Sequence, residues 1–268
     1  MLTSPPTGPL CTRDSLTEEL RNIGVKHGEV ILIHSSLKSL GWVCGGAETV
    51  VLSLLDCLGD DGTLVVPTHT GDNSDPADWE YPPVPRDWWP PIRASMPAYD
   101  PCTARTRGMG VICETVRNWP GAVRSLHPQT SFAAVGRHAE FLMADHALDC
   151  RLGEKSPLAR LEEANARVLL LGVGFDACTA FHLAEYRVPD APVANNSFAV
   201  MTGEGRQWMT VRDVSVSDER LEELGADFEK EAHVDCGIVG AADVRLYPLG
   251  EAVAFAQRWL QVHRPHSL

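Results

Sequence analysis

The chain predicts an α/β fold built around a parallel βαβ unit. Three observations carry that prediction. Val30-Ile-Leu-Ile-His34 is a short continuous apolar run, as a buried strand requires. Ala47 to Leu58 places apolar residues at helical spacing, and Gly62-Thr-Leu-Val-Val-Pro67 is a second apolar run. Strand, helix and strand in that order read as a parallel crossover. Far downstream, Arg167-Val-Leu-Leu-Leu171 closes in Gly172-Val-Gly174, a strand reaching its end.

The remaining elements follow in order. Met1 to Leu10 lacks the charged start and apolar stretch of a secretory signal, so residues 1–11 read as a flexible arm. Residues 12–268 read as a single domain. Thr12 to Gly24 reads as an amphipathic helix ended by Gly24, with Ser15 and Glu18 at capping-box spacing. Residues 68–106 break the rhythm. They are rich in proline and carry Trp79, Trp88, Trp89 and Tyr99, and so long a loop in a compact domain is usually functional. Gly108 to Trp119 reads as a helix and Ser131 to Val135 as a strand. Gln207 to Val216 reads as a strand, Asp218 to His233 as a charged helix, and Glu251 to Val262 as a closing amphipathic helix.

Composition narrows the function. The 268 residues are 44% hydrophobic with a formal charge of -13, which disfavours nucleic acid and anionic membrane as partners and attracts cationic ligands. No run of ~18 apolar residues is present, so no membrane helix is expected. The eight cysteines form no CxxC and no cluster with histidine, which points to reduced thiols in a cytoplasmic protein and to no metal site.

Polar residues gather after the Gly172-Val-Gly174 strand end. Asp176, Thr179, His182 and Glu185 follow one another at spacing three, which on one helix puts them on one face. In open α/β sheets ligands bind at this end of the strands. A plainer reading makes Asp176 a helix cap and His182 a satisfied core histidine. His34-Ser35-Ser36 also follows a strand and reads as either a ligand-holding strand end or a plain turn. Arg105-Thr-Arg-Gly-Met-Gly110 fits the RxxGxG pattern of GNAT acetyltransferases, but a proline-rich loop stands where that superfamily has a strand. Arg124-Ser-Leu-His-Pro-Gln-Thr-Ser131 gathers a guanidinium, an imidazole and hydroxyls, either for a ligand or for a well-bonded turn. GxSxG, HExxH, GxxxxGK[ST] and GxGxxG are all absent, so hydrolase, metallopeptidase, kinase and dehydrogenase readings lose support.

Taken together, Ile33-His-Ser-Ser-Leu-Lys-Ser-Leu-Gly41, Pro67 to Pro76, Arg124 to Pro128, Gly153-Glu-Lys-Ser-Pro-Leu158 and the segment through Glu185 resemble the aminoglycoside 3-N-acetyltransferase family. Trp88-Trp89 and Met96-Pro-Ala-Tyr-Asp100 resemble its long insertion. The resemblance spans roughly residues 12 to 262. It implies a three-layer α/β/α fold with a central mixed, largely parallel sheet and a long Pro/Trp-rich loop insertion. It also implies acetyl-coenzyme A as donor and an aminoglycoside amine as acceptor, without a metal.

The site residues follow from the resemblance. His182 is the general base, suited to removing a proton from an ammonium group. Glu185 either orients its ring or binds substrate. Asp72, Asp75, Asp176 and Asp213 are the carboxylates expected to hold the polycation. Ser35, Ser36, Arg124, Ser125 and His127 are expected donor contacts, and Thr68 is placed near the thioester. No protein nucleophile is needed, so transfer is direct in a ternary complex. Two other readings stay open: an enzyme of the same fold acting on another amine, and a relative that binds a cationic ligand without catalysis.

Overall fold

The protein is described by a computed structural model covering residues 8–264. The first seven positions of the expected arm lie outside the described residues. Its last two form β1 (Leu10–Cys11), which pairs in parallel with a later short strand.

The helix α1 (Arg13–Ile23) follows. Its capping box is made by Thr12 and Ser15, not by Ser15 and Glu18. Thr12 stands in extended conformation outside the helix, so its hydroxyl reaches the Ser15 N–H while Ser15 Oγ accepts from the Thr12 N–H. Next come β2 (Val30–Ser35), β3 (Trp42–Val43, the partner of β1), α2 (Ala47–Leu58) and β4 (Thr63–Pro67). The long loop is not wholly irregular. It contains turns of 3-10 helix at Pro76–Asp78 and Arg86–Trp88 and a short helix α3 (Trp89–Ser95), with Pro90 and Pro91 tolerated in its first turn.

The chain continues through α4 (Gly110–Arg117), β5 (Val123–Arg124), β6 (Phe132–Gly136), α5 (Ala139–Met143), α6 (Pro157–Glu163) and β7 (Arg167–Leu171). After β7 come a 3-10 turn at Phe175–Ala177 and α7 (Phe181–Glu185), a hairpin of β8 (Val193–Thr202) and β9 (Gly205–Val214), α8 (Leu221–Glu231), a second hairpin of β10 (Asp235–Val239) and β11 (Ala242–Pro248), and α9 (Leu249–His263).

One seven-stranded sheet organises the domain, in the order β10-β11-β7-β2-β4-β6-β5. The mixed α/β class is as the sequence predicts, but the sheet is parallel only at its centre, where β7, β2 and β4 run together. The flanks are antiparallel, since β6 and β11 each run against the central strand they join. Within each flank the outer pairs β5–β6 and β10–β11 are joined by short links, which suit antiparallel neighbours.

Alternate side chains of the central strands enter two cores. Val30, Leu32, Val65, Val168 and Leu170 pack under α5 to α9. Ile31, Ile33, Leu64, Val66, Leu169 and Leu171 pack under α1, α2 and α4. This double burial explains the unbroken apolar runs, because a strand covered on both faces has no polar side. Each fully buried Leu or Ile contributes roughly 1.5–3 kcal/mol, so these runs make the central trio a rigid platform. Its three C-terminal ends open on one edge of the sheet, with β4 and β7 on opposite sides of β2. Loops that part there leave a crevice.

The insertion is fastened to the β8–β9 hairpin. The Asn73 side chain bonds both the N–H and the carbonyl of Ala199, and Tyr99 N–H donates to the same carbonyl. Arg206 Nε donates to Met96 O at 2.9 Å.

Candidate active site

Gly172 and Gly174 turn the chain out of β7. Gly172 has φ 69°, and a Cβ there would collide with Ser39 and Ala242. A Cβ on Gly174 would lie 2.7 Å from Glu222 Oε2 and 2.9 Å from Asp176 Oδ1. Beyond them the chain makes two helical pieces instead of one. Asp176 belongs to the 3-10 turn, while His182 and Glu185 belong to α7. The four-residue face expected from spacing three is thus split, and only its last pair is a true i,i+3 contact.

That pair is buried. His182 and Glu185 are 6% and 7% exposed, and His182 Nδ1 lies 2.7 Å from Glu185 Oε2. The other carboxylate oxygen, Oε1, accepts from Ser217 N–H at 3.1 Å and from Arg264 Nη1 at 2.7 Å. Glu185 therefore faces the ring with one oxygen and a cation with the other. The opposite ring atom, His182 Nε2, stands 3.1 Å from Asp218 Oδ1 in the loop before α8. Asp218 itself is exposed. Burial disfavours charge on His182, but the hydrogen bonds and charges of Asp218 and Glu185 outweigh it and raise its pKa above the ordinary value. The bond to His182 holds the Asp218 carboxyl below the usual range.

His182, Asp218, Asp176 and Thr179 line a cavity of about 280 Å³ with His34 and Ser35 from the end of β2 and with Pro67 and His69 from the end of β4. Gly108, Met109 and Cys113 close it on the α4 side. The strand-end rule thus brings together His34, Ser35, Asp176, Thr179 and His182. His34 Nε2, Ser35 Oγ and His69 Nε2 are buried and have no partner in the protein. Ser36 sits just beyond, its Oγ bonded by Ser39 Oγ at 3.0 Å.

The remaining expected donor contacts lie elsewhere. Thr68, Ser125 and His127 are at most 1% exposed and Arg124 is 9% exposed. Arg124 donates to Thr68 O, Thr68 Oγ1, Ser131 Oγ, Pro101 O and Ala104 O. Ser125 Oγ is bonded to His146 Nδ1 and accepts from Phe132 N–H. His127 Nδ1 accepts from the N–H groups of Gln129 and Thr130, and its Nε2 is bonded to Leu148 O. These side chains brace the long loop against β4, β5 and β6. The sequence shows the same residue types in either case, so it cannot separate a brace from a ligand site.

The acidic residues also divide. Asp176 is exposed at the cavity. Asp72, paired with Arg107, is exposed on a separate cavity of about 550 Å³ within the insertion, alongside Asp78, Trp79, Glu80 and Tyr81. Asp75 caps the Pro76–Asp78 turn and holds Arg93 at 2.7 Å, while lining a cavity with Gln129, Arg151 and Asn196. Asp213 is 5% exposed and accepts from Tyr186 Oη at 2.9 Å and Arg151 N–H at 2.8 Å, so its carboxylate ties the hairpin to the Arg151 loop.

Sequence reasoning missed Asp218, His69 and Arg264. His69 follows the β4 strand end, and the rule applied to His34 would have found it. Asp218 looked like the start of a helix. Arg264 had no local signal, because 79 residues separate it from Glu185.

Among the described residues, no cluster of three His, Cys, Asp or Glu is placed to hold a metal ion, and no helix is long and apolar enough to cross a membrane. The eight cysteines are free.

Comparison with known proteins agrees with the geometry. Residues 32–261 match the family described as aminoglycoside 3-N-acetyltransferase. The SPbeta prophage-derived aminoglycoside N(3')-acetyltransferase-like protein YokD of Bacillus subtilis is 44% identical, with 92% of each chain covered. Its crystal structure superposes with a TM-score of 0.95 over 98% of this chain and 97% of that one. Aminoglycoside N(3)-acetyltransferase IX of Micromonospora chalcea is 36% identical over 95% of this chain and 94% of its own. A structure described as AAC-IIIb binary with CoASH is 30% identical with a TM-score of 0.83, covering 94% of this chain and 97% of that one. Matched along nearly its whole length, the chain belongs to the aminoglycoside 3-N-acetyltransferase family.

Proposed function

We propose that this chain transfers the acetyl group of acetyl-coenzyme A to the 3-amino group of aminoglycosides, directly, in a ternary complex. The observation that carries the reading is the line Asp218–His182–Glu185–Arg264 at the edge of the strand-end cavity. Glu185 fixes the ring, keeps the proton on Nδ1 and stabilises the imidazolium, as a triad carboxylate does. Nε2 is then the atom that takes the amine proton.

A base must have a free lone pair, whereas Nε2 rests against Asp218. An incoming ammonium group can take that place, because it is a better partner for the Asp218 carboxylate than a shared ring proton. Asp218 and Asp176 hold the ammonium at the cavity, the ring stands beside it, and proton removal leaves the nitrogen lone pair to attack the thioester carbon. The C–N bond forms and the C–S bond breaks; the nitrogen then gives up a second proton, which the leaving sulfur takes, and the first passes from His182 to solvent. Rate comes from placing the two substrates together and from the proton transfer.

Two observations fit the donor and the direct route. The unpartnered Ser35 Oγ at the cavity suits a polar group of the coenzyme, with Ser36 beyond it. Cys113 lines the same cavity, but burial pushes its thiol up to about 12, so no thiolate is at hand to carry an acetyl group. Asp72 and Asp75 in the insertion are proposed to meet the outlying ammonium groups. A cytoplasmic location follows from the donor.

The test is coenzyme A release from acetyl-CoA with a panel of aminoglycosides, with product mapping. Acetylation at N3 is expected. No turnover with any of them, or acetylation confined to another amine, would remove this reading.

A further inference from the structure

Attack of an amine on a thioester moves negative charge onto the carbonyl oxygen. A water-poor site assists that step only with donors already placed for the oxygen. Thr68, the strand-end hydroxyl expected near the thioester, cannot serve: its Oγ1 is fully buried between Ser131 Oγ and Arg124 Nε, and its N–H donates to Ser131 O. The cavity holds other candidates. His34 lies in β2 and His69 stands two residues past the end of the adjacent parallel strand β4, and both line the cavity that also holds His182. Each has a buried Nε2 with no partner in the protein, although His34 is only 5% exposed. Buried polar atoms are almost always paired, so two unpaired ring nitrogens on residues that line one cavity call for a partner that a bound ligand can supply.

Building on the acetyl transfer proposed above, we infer that His34 and His69 are neutral imidazole donors that hold the thioester carbonyl oxygen and the charge it gains during attack. Their neutrality has a physical source. Burial, and then the positive charge of His182, push both rings down to about 3, so neither is an imidazolium near neutral pH. A neutral ring carries one N–H, and with that proton on Nε2 the unpaired atom becomes a donor. Neutral donors also suit this acceptor. A guanidinium or imidazolium at the same place would repel the ammonium group that must reach Asp218, whereas an uncharged N–H polarises the carbonyl without that cost. During the reaction His182 takes one proton of the ammonium, the nitrogen bonds to the carbonyl carbon, the C–S bond breaks, and the nitrogen's second proton goes to the leaving sulfur. His34 and His69 keep theirs throughout.

Two measurements test this. In the first, His34→Leu and His69→Leu each lower kcat on the order of 10²-fold, the usual effect of losing one such donor, with the aminoglycoside KM held within about threefold. His34→Gln and His69→Gln, which restore an N–H, recover most of the rate. Leu variants with wild-type kcat, or Gln variants no better than Leu, would overturn it. The second uses wild-type protein labelled with 15N-histidine and needs no turnover. His34 and His69 are expected as neutral, Nε2-protonated rings whose resonances move on adding acetyl-CoA and stay in place with coenzyme A. Charged rings, Nδ1-protonated rings, or equal responses to both ligands would overturn it. Absence of turnover in the wild type would instead remove the acetyl-transfer reading, an outcome distinct from active Leu variants.

Discussion

The cluster around Arg124 and the cavity around His182 are built from the same residue types and differ in what their polar atoms touch. In the first, Arg124, Ser125, His127, Ser131 and His146 bond one another and the backbone. In the second, His34, Ser35 and His69 each keep a buried atom unpaired, and His182 is held by Glu185 on one side and touches an exposed carboxylate on the other. Pairing removes the capacity to bind a ligand and adds rigidity. The difference teaches that residue type does not mark a site; a buried polar atom left unpaired at a cavity, or a ring that meets an exposed carboxylate there, does.

The largest effect expected from this contrast is on His182. His182→Ala should lower kcat by about 10²–10⁴-fold, the range for losing a general base. The fold should persist by circular dichroism, because Glu185 retains Ser217 N–H and Arg264. Full activity in that variant would make the cavity a binding site without this base.

Arg124→Met probes the other cluster. It leaves the carbonyls of Pro101 and Ala104 without their donor and should cost on the order of 2–4 kcal/mol in urea unfolding. Below its unfolding range the variant should keep kcat within about threefold, since a brace acts on position and not on the reacting atoms. A large fall in kcat with unchanged stability would move Arg124 back among the donor contacts.

Most of the frame was legible in the sequence, and the reason is physical. Strands covered on both faces must be apolar throughout, so β2, β4 and β7 announced themselves, and α2 came out with its observed ends. The pair His182–Glu185 was legible because three residues along a helix is a local distance. What failed is non-local. The β10–β11 hairpin escaped, since its half-exposed strands dilute the apolar signal. Arg124 and His127 are expected donor contacts by resemblance, and nothing in the sequence shows that Thr68, Pro101 or Leu148 will fold against them. Asp213 was preferred over Asp218 for the same reason: five residues apart, one turns into the Tyr186 hydroxyl and the other towards His182.

That last pair gives the smallest predicted effect and the sharpest division between brace and site. The negative charge of Asp218 raises the His182 pKa, and a base works only when deprotonated, so activity should rise with pH through a limb lying above the ordinary histidine value. Asp218→Asn removes the charge and should move that limb to lower pH. The shift should stay below about one unit, because an exposed carboxylate is partly screened by solvent. The variant should then outpace wild type on the acid side and fall behind on the alkaline side, where holding the ammonium matters more than freeing the base. Asp213→Asn should leave the limb in place and lower stability by about 1–2 kcal/mol, the effect of weakening a buried acceptor of the Tyr186 hydroxyl. An unmoved limb in Asp218→Asn would show that the ring senses Glu185 alone. A limb moved as far by Asp213→Asn would show that the two carboxylates are not divided as their contacts imply.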